Sequence, residues 1–247
     1  MKGFLKSFIG VALACLLLLG ISLLLYVAAA SFSSILASKK PSVNTSGGKN
    51  APTVVIDPGH GGIDGGAVGV SGSYEKDLNL VIAKETERIL SSMGYTVILT
   101  RSDDTLPSDG GKGSRKEQEL RARIRVPEEQ ENAIFVSIHM NRFPDPSVKG
   151  MTFYYSPNHP DSHTLAESMR RVMLEKLQGD NRRPMKEATS GIYVLYHTTV
   201  PAVLVECGFL SNPLEEAMLK EEDYQNKIAQ TISEGIDAFL KKSEESK

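Results

Sequence analysis

The tightest constraint on this chain is that three of its apolar runs stop on a residue able to hold a metal or move a proton. Val54-Val55-Ile56 runs into Asp57-Pro58-Gly59-His60, Ala133-Ile134-Phe135-Val136-Ser137-Ile138 into His139, and Ala202-Val203-Leu204-Val205 into Glu206. Short apolar runs bounded by turn signals such as Pro58-Gly59 read as buried strands. Open α/β sheets built from such strands place their active sites beyond the carboxyl ends. One histidine after a strand says little, because loop histidines are common. Three such endings are hard to obtain from packing alone.

The segments between these runs supply the layers of the fold. Leu78, Val81, Ile82, Ile89 and Leu90 recur near helical spacing from about Lys76, and Gly94 sits where that helix would be capped. Glu75 opens the helix. An acidic residue there commonly complements the helix dipole, but a βα unit also returns the helix start to the sheet edge that presents His60. Glu75 is therefore a candidate third ligand. Tyr95 to Thr100 reads as the second strand, and the polar stretch Ser102 to Lys116 as a surface loop. Gln118 to Arg125 reads as a helix with Leu120 and Ile124 inward and Arg121, Arg123 and Arg125 mostly toward solvent, and Pro127 ends or kinks it. Met151 to Tyr155 and Ile192 to Leu195 read as strands, and Leu165 to Leu177 as a helix. Ile228, Ile232, Ile236, Phe239 and Leu240 form the apolar stripe of a carboxyl-terminal helix covering the sheet. The expected fold is a single α/β domain with a central mixed, mostly parallel β-sheet flanked by helices.

Several function classes fall away. In Gly61-Gly62-Ile63-Asp64-Gly65-Gly66, Asp64 occupies a place where the dinucleotide pattern starting at Gly59 needs glycine, and Gly111-Lys112-Gly113 lacks the Ser/Thr of a phosphate loop. These glycines are better read as letting backbone pass close to a metal and its substrate. His159 and His163 are four apart, but Pro160 lies between them and no glutamate follows His159, so they read as exposed loop residues rather than a zinc-binding helix. A net charge of −2 argues against a nucleic-acid partner. Cys15 and Cys207 make no disulfide framework, and Cys207 reads as a small buried residue.

At the amino terminus, Lys2 and Lys6 precede an uncharged apolar run from Phe8 to Ala30, about 23 residues and long enough to span a bilayer. Its length favours an uncleaved membrane anchor; Ala28-Ala29-Ala30 before Ser31 keeps a cleaved signal open. Either way the rest is expected outside the cytoplasm. The expected layout is residues 1–30 as signal or transmembrane segment, 31–51 as a flexible Ser/Lys/Pro/Asn/Gly linker, 52–241 as the catalytic domain and 242–247 as a charged tail.

Two histidines and one carboxylate leave a tetrahedral zinc one open position, the arrangement of a catalytic site. His60, Glu75 and His139 are the candidate ligands of one Zn2+ ion per chain. Such an ion acidifies water and polarises a carbonyl, and a further carboxylate must carry the proton to the leaving nitrogen. Glu206 is the candidate for that role. Asn141 could contact substrate or serve structure, and Arg121 and Arg125 could touch an acidic substrate or simply line a solvated face. His197 is a loop residue expected near the site.

These residues carry a resemblance. Asp57-Pro58-Gly59-His60-Gly61-Gly62, the following Glu75, Ser137-Ile138-His139-Met140-Asn141 and Pro201-Ala202-Val203-Leu204-Val205-Glu206-Cys207-Gly208-Phe209-Leu210-Ser211-Asn212 together resemble the zinc-dependent N-acetylmuramoyl-L-alanine amidases, amidase type 3, over about Thr53 to Leu240. The resemblance implies zinc on His60, Glu75 and His139, and Glu206 as acid/base. Its implied substrate is peptidoglycan, cut at the amide between the lactyl group of N-acetylmuramic acid and L-alanine. Lys112-Gly113-Ser114-Arg115-Lys116 and the compact single-domain layout are similar to the germination-specific amidases of spore formers. That finer likeness implies a role in spore cortex, with muramic-δ-lactam formation, on the outer side of the membrane, and an accessory lipoprotein of the kind some members need. Arg142 departs from the alanine the family often has after Asn141. The competing readings are a zinc peptidase cutting within the stem peptide and a non-catalytic wall-binding or regulatory homologue.

Overall fold

A computed structural model describes residues 52–245. The expected anchor (8–30), its signal alternative and the linker 31–51 lie outside the described residues. Among the described residues no helix is long and apolar enough to cross a membrane.

The elements are β1 (Thr53–Pro58), α1 (Glu75–Ser92), β2 (Val97–Leu99), α2 (Arg115–Glu128), β3 (Ala133–Asn141), β4 (Thr152–Tyr155), α3 (Asp161–Lys176), β5 (Lys186–Glu187), α4 (Tyr193–His197), β6 (Ala202–Phe209), α5 (Pro213–Lys220) and α6 (Glu222–Glu245). The strands form one six-stranded sheet in the order β2-β1-β3-β6-β4-β5. β2, β1, β3 and β6 run parallel, β4 is antiparallel to β6, and β5 is parallel to β4. The fold is thus the mixed, mostly parallel α/β sheet flanked by helices.

Period-two alternation sorts the strand residues onto two unequal faces. Val54, Ile56, Ile134, Val136, Ile138, Val203 and Val205 meet Leu78 and Ile82 of α1, Leu165 and Met169 of α3, and Ile228, Ile232 and Ile236 of α6. Each fully buried aliphatic or aromatic side chain here contributes roughly 1.5–3 kcal/mol, so this face carries most of the stability. Val55, Phe135, Ala202 and Leu204 face the other way, onto a thinner layer built on Ile124 of α2 and Val194 and Leu195 of α4. His139 and Glu206 follow the second alternation and lie at its carboxyl edge.

The structure corrects several local expectations. Ile192 to Leu195 is not a strand; Tyr193–His197 is a short helix, because a run of four apolar residues has too little length to show its period. β6 does not stop at Glu206 but continues to Phe209. His163 lies in α3, its ring edge-on to Tyr155 at 5.0 Å, while His159 stays in the preceding turn. Val81 points outward from α1 at 47% exposure. Pro127, by contrast, lies one residue short of the end of α2, in keeping with the expectation that it ends the helix. α6 reaches Glu245, so Lys242 to Glu245 of the expected tail are helical. Arg123 is buried rather than solvated, with consequences at the site.

Candidate metal centre

The centre starts with how β1 ends. His60 adopts a left-handed backbone (φ 62°), followed by Gly61 and Gly62 at positive φ. Such a conformation costs a non-glycine residue on the order of 1–3 kcal/mol and needs outside support. Two buried arginines provide it. Arg123 donates to the carbonyls of Pro58 (2.9 Å) and His60 (2.6 Å). Arg101 donates to the carbonyls of Pro58, Gly59, Lys76 and Asp103, each at 2.9 Å. Arg123 is in turn paired with Asp57 and Glu119, and Asp57 also accepts from Thr100 and Ser137. Burial alone would raise the Asp57 carboxyl, but Arg123 and the two hydroxyls hold it below its usual range. Burial likewise opposes the Arg123 charge, and Asp57 and Glu119 outweigh it.

α1 has no side-chain cap on Tyr74. Its first N–H groups bond instead to the preceding loop, Glu75 N to Ala67 O (2.9 Å) and Lys76 N to Gly65 O (3.2 Å). This fixes Glu75 at the first helical position, where its carboxylate turns back over the sheet edge. Glu75 Oε2 accepts from Ala67 N at 2.8 Å and Oε1 from Met140 N at 3.1 Å. β3 and β6 are parallel neighbours in which His139 is the register partner of Glu206, and Gly59 N bonds to Ile138 O at 3.0 Å. The end of β1, the carboxyl-terminal parts of β3 and β6 and the start of α1 therefore converge on one point.

Ligand atoms of His60, Glu75 and His139 lie within 4.8 Å of one another. His139 Nδ1 is 2.8 Å from Glu75 Oε1 and His60 Nε2 is 3.2 Å from Glu75 Oε2, with the two imidazoles edge-on at 4.9 Å. Burial would push Glu75 up, but the hydrogen bonds from His139 and His60 hold it well below the ordinary carboxylate range. Burial disfavours charge on the His60 ring, yet Glu75 and Asp64 raise its pKa overall. Asp64 Oδ2 lies 3.0 Å from His60 Nδ1, in ion-pair range although that nitrogen lacks a well-aligned hydrogen bond. This leaves Nε2 as the nitrogen facing Glu75. Asp64 also pairs with Lys116 at 3.0 Å. Burial opposes its ionisation, but the adjacent His60 ring and the hydrogen bond from Lys116 bring its pKa to about 2.

The residues suit a divalent metal with nitrogen and oxygen ligands. Glycines keep space open around the trio: a Cβ on Gly66 would sit 2.6 Å from Glu75 Oε2, and one on Gly59 would sit 2.2 Å from the His139 ring. Beside the trio, Glu206 Oε2 is shut off from solvent and has no hydrogen-bond partner. Burial raises the Glu206 pKa, His139 counters it, and the outcome is about 7. A carboxyl group that exchanges a proton near neutrality thus stands next to two imidazoles and a carboxylate.

The remaining candidates have local partners. Asn141 Oδ1 accepts from Arg142 N at 2.8 Å, just past the register shift in β3. Arg121 is bound to Asp109 (2.7 Å) and to Lys112 O (2.7 Å), and Arg125 to Glu129 (3.0 Å). His197 ends α4, stacked at 4.1 Å on Tyr193 and edge-on to Tyr196. Asp57, Asp64, Arg101, Arg123 and Lys116, which hold the site in shape, are absent from the sequence-derived set. Glu119 and Arg123, four apart on one helix, were the readable sign for two of this network.

Residues 54–238 match the family described as N-acetylmuramoyl-L-alanine amidase. The chain is 35% identical over 222 residues to the germination-specific N-acetylmuramoyl-L-alanine amidase of Bacillus subtilis, covering 89% of this chain and 91% of that protein. Among solved structures it resembles the CwlD amidase of Clostridioides difficile, determined in complex with the GerS lipoprotein, with a TM-score of 0.71 and 34% identity over 77% of this chain and 98% of that one. The catalytic domain of CwlV, an N-acetylmuramoyl-L-alanine amidase from Bacillus (Paenibacillus) polymyxa, superposes with a TM-score of 0.67 at 38% identity, covering 77% of this chain and 98% of that one. With the convergent strand ends and this breadth of similarity, the chain belongs to the N-acetylmuramoyl-L-alanine amidase family, amidase type 3.

Proposed function

We propose that the domain hydrolyses the amide between the lactyl group of N-acetylmuramic acid and the L-alanine of the peptidoglycan stem peptide, with His60, Glu75 and His139 holding a zinc ion and Glu206 carrying the proton. The observation that supports this most directly is the Glu206 carboxyl, unpartnered at Oε2 and in register with His139. When bound, the ion supplies Lewis acidity, polarising the amide carbonyl and acidifying a water molecule. Glu206 takes the proton of the attacking water and passes it to the departing alanine nitrogen, a task suited to a group titrating near neutrality. Asp64 orients the His60 ring, and Arg101 and Arg123 hold its backbone.

The same reading places residues 52–241 as the catalytic domain outside the cytoplasm, with 8–30 anchoring it in the membrane, 31–51 as the spacer and 242–247 as the charged carboxyl end. The likeness to the Bacillus subtilis germination-specific enzyme supports spore cortex as the substrate and muramic-δ-lactam formation as the outcome. The complex formed by the Clostridioides difficile relative supports a lipoprotein partner. The test is to incubate the zinc-loaded protein, with and without a chelator, with purified cortex and with vegetative wall, beside Glu206→Gln. Released stem peptides with a free amino group on L-alanine, lost with chelator and in the variant, are expected by mass spectrometry. Cleavage within the stem instead would identify a peptidase, and zinc retention without any release would identify a binding protein.

A further inference from the structure

A groove of about 650 Å³ is lined by segments that run on from the candidate metal centre, and its lining includes Val68, Val70, Arg142, Phe143 and Ser211. Its three walls are continuations of the segments that carry the centre. Val68 to Val70 begin one residue beyond Ala67, whose N–H holds the Glu75 carboxylate. Arg142 and Phe143 begin three residues beyond His139, and Ser211 lies five beyond Glu206. The walls are joined to one another: Leu210 N bonds to Asn141 O (2.8 Å), Val70 N to Leu210 O (3.2 Å) and Phe143 N to Ser211 Oγ (3.0 Å). Glu216 secures the first wall from α5, accepting from Ser71 N at 2.8 Å and from the Ser73 hydroxyl. The groove is thus tied through its walls to the segments that carry the reaction centre, and it exposes apolar surface on both sides: Val68 is 42%, Val70 58% and Phe143 51% accessible.

Its charge is chosen by one residue. Arg142 is exposed, and no hydrogen bond or ion pair of its guanidinium is found among the described residues. Asp145, the nearest carboxylate along the chain, is engaged with Ser147 N at 2.8 Å. A glycan of N-acetylated sugars presents no charge to such a cation, whereas a stem peptide presents carboxylates. An arginine fork matches a carboxylate in two parallel hydrogen bonds.

Building on the amidase reading, we propose that this groove is the subsite for the stem peptide on the leaving side of the scissile amide, and that Arg142 selects stems bearing a free carboxylate on the residue after L-alanine. Val68, Val70 and Phe143 cover the apolar backbone and side chains of that segment, and Arg142 reads its charge. The experiment uses two synthetic muramoyl peptides that differ only in whether the α-carboxylate of the second stem residue is free or amidated. Binding is measured on zinc-loaded Glu206→Gln, and cleavage on the parent protein. The free acid is expected to bind on the order of tenfold more tightly and to show a correspondingly lower KM with similar kcat. Arg142→Gln, an exposed substitution, is expected to abolish that preference by weakening the free acid alone, and Arg142→Lys to restore part of it. Equal affinities for the two peptides, or a preference unchanged in Arg142→Gln, would overturn the proposal while leaving cleavage intact. Discriminating binding without cleavage by the parent protein would retain this subsite and defeat the amidase reading.

Discussion

At the scale of single residues, Glu206 carries the clearest conflict between stability and chemistry. Its carboxyl is lifted from the usual 4.5 to about 7, so the folded domain binds that proton more tightly than the unfolded chain does. The stability it contributes is therefore fully present below pH 4.5 and is lost as pH rises through 7. In the metal-free protein, Glu206→Gln is expected to match the parent near pH 4.5 and to exceed it by about 3 kcal/mol at pH 8. Chemical unfolding at the two pH values measures the difference, and an equal gap at both would contradict the assignment. In the zinc-loaded protein the same substitution is expected to lower kcat by roughly 10²–10⁴. The positions of His60, His139 and Glu206 were legible because each follows an unbroken apolar run, although β3 and β6 continue past His139 and Glu206. Arg101 was not legible at all: its partners are main-chain carbonyls, which leave no trace in residue type.

At the scale of elements, α2 owes its docking to charge as much as to apolar contact. Its amino end is closed by a capping box between Ser114 and Glu117. Its inner face carries Glu119 and Arg123 beside Ile124. Removing one partner of a buried ion pair strands the other, at a cost of about 3–5 kcal/mol. Arg123→Met is expected to destabilise the domain by that amount, since Asp57 loses its cation and the His60 turn loses two carbonyl bonds. Denaturant titration measures it; a loss below about 1 kcal/mol would show that Arg123 is merely tolerated there. This burial escaped the sequence because the partner that draws Arg123 inward, Asp57, is 66 residues away, while its neighbours Arg121 and Arg125 do face outward. The short helix α4 was misread for a different reason, namely that four apolar residues fit a strand and a buried helical turn equally well.

At the scale of the whole molecule, the candidate metal centre joins the end of β1 and the start of α1 to β3, whose His139 lies 64 residues beyond Glu75. Zinc should therefore act as a cross-link on the native state alone. At a hundred times its Kd it is expected to add about 2.7 kcal/mol, which for a domain of this size raises Tm by roughly 5–10 °C. Thermal unfolding across a zinc series, with His139→Ala as the control that no longer responds, measures it. The sheet and its helical layers were readable in outline because the buried strands are continuous apolar runs, as in β3, and the helical stripes are long, as in α6. The unequal thickness of the two faces was not, since it depends on which helices settle on which side. That β3 and β6 pair with His139 opposite Glu206 has a consequence for length variation. Because side chains alternate at every residue, one amino acid inserted or deleted within Ala133–Ile138 or Ala202–Val205 would turn either the core or the reacting groups to the wrong side. The loops at 102–114 and 142–150 are under no such rule. Changes in chain length that reshape substrate choice should gather in those loops, and the two central strands should keep their residue count.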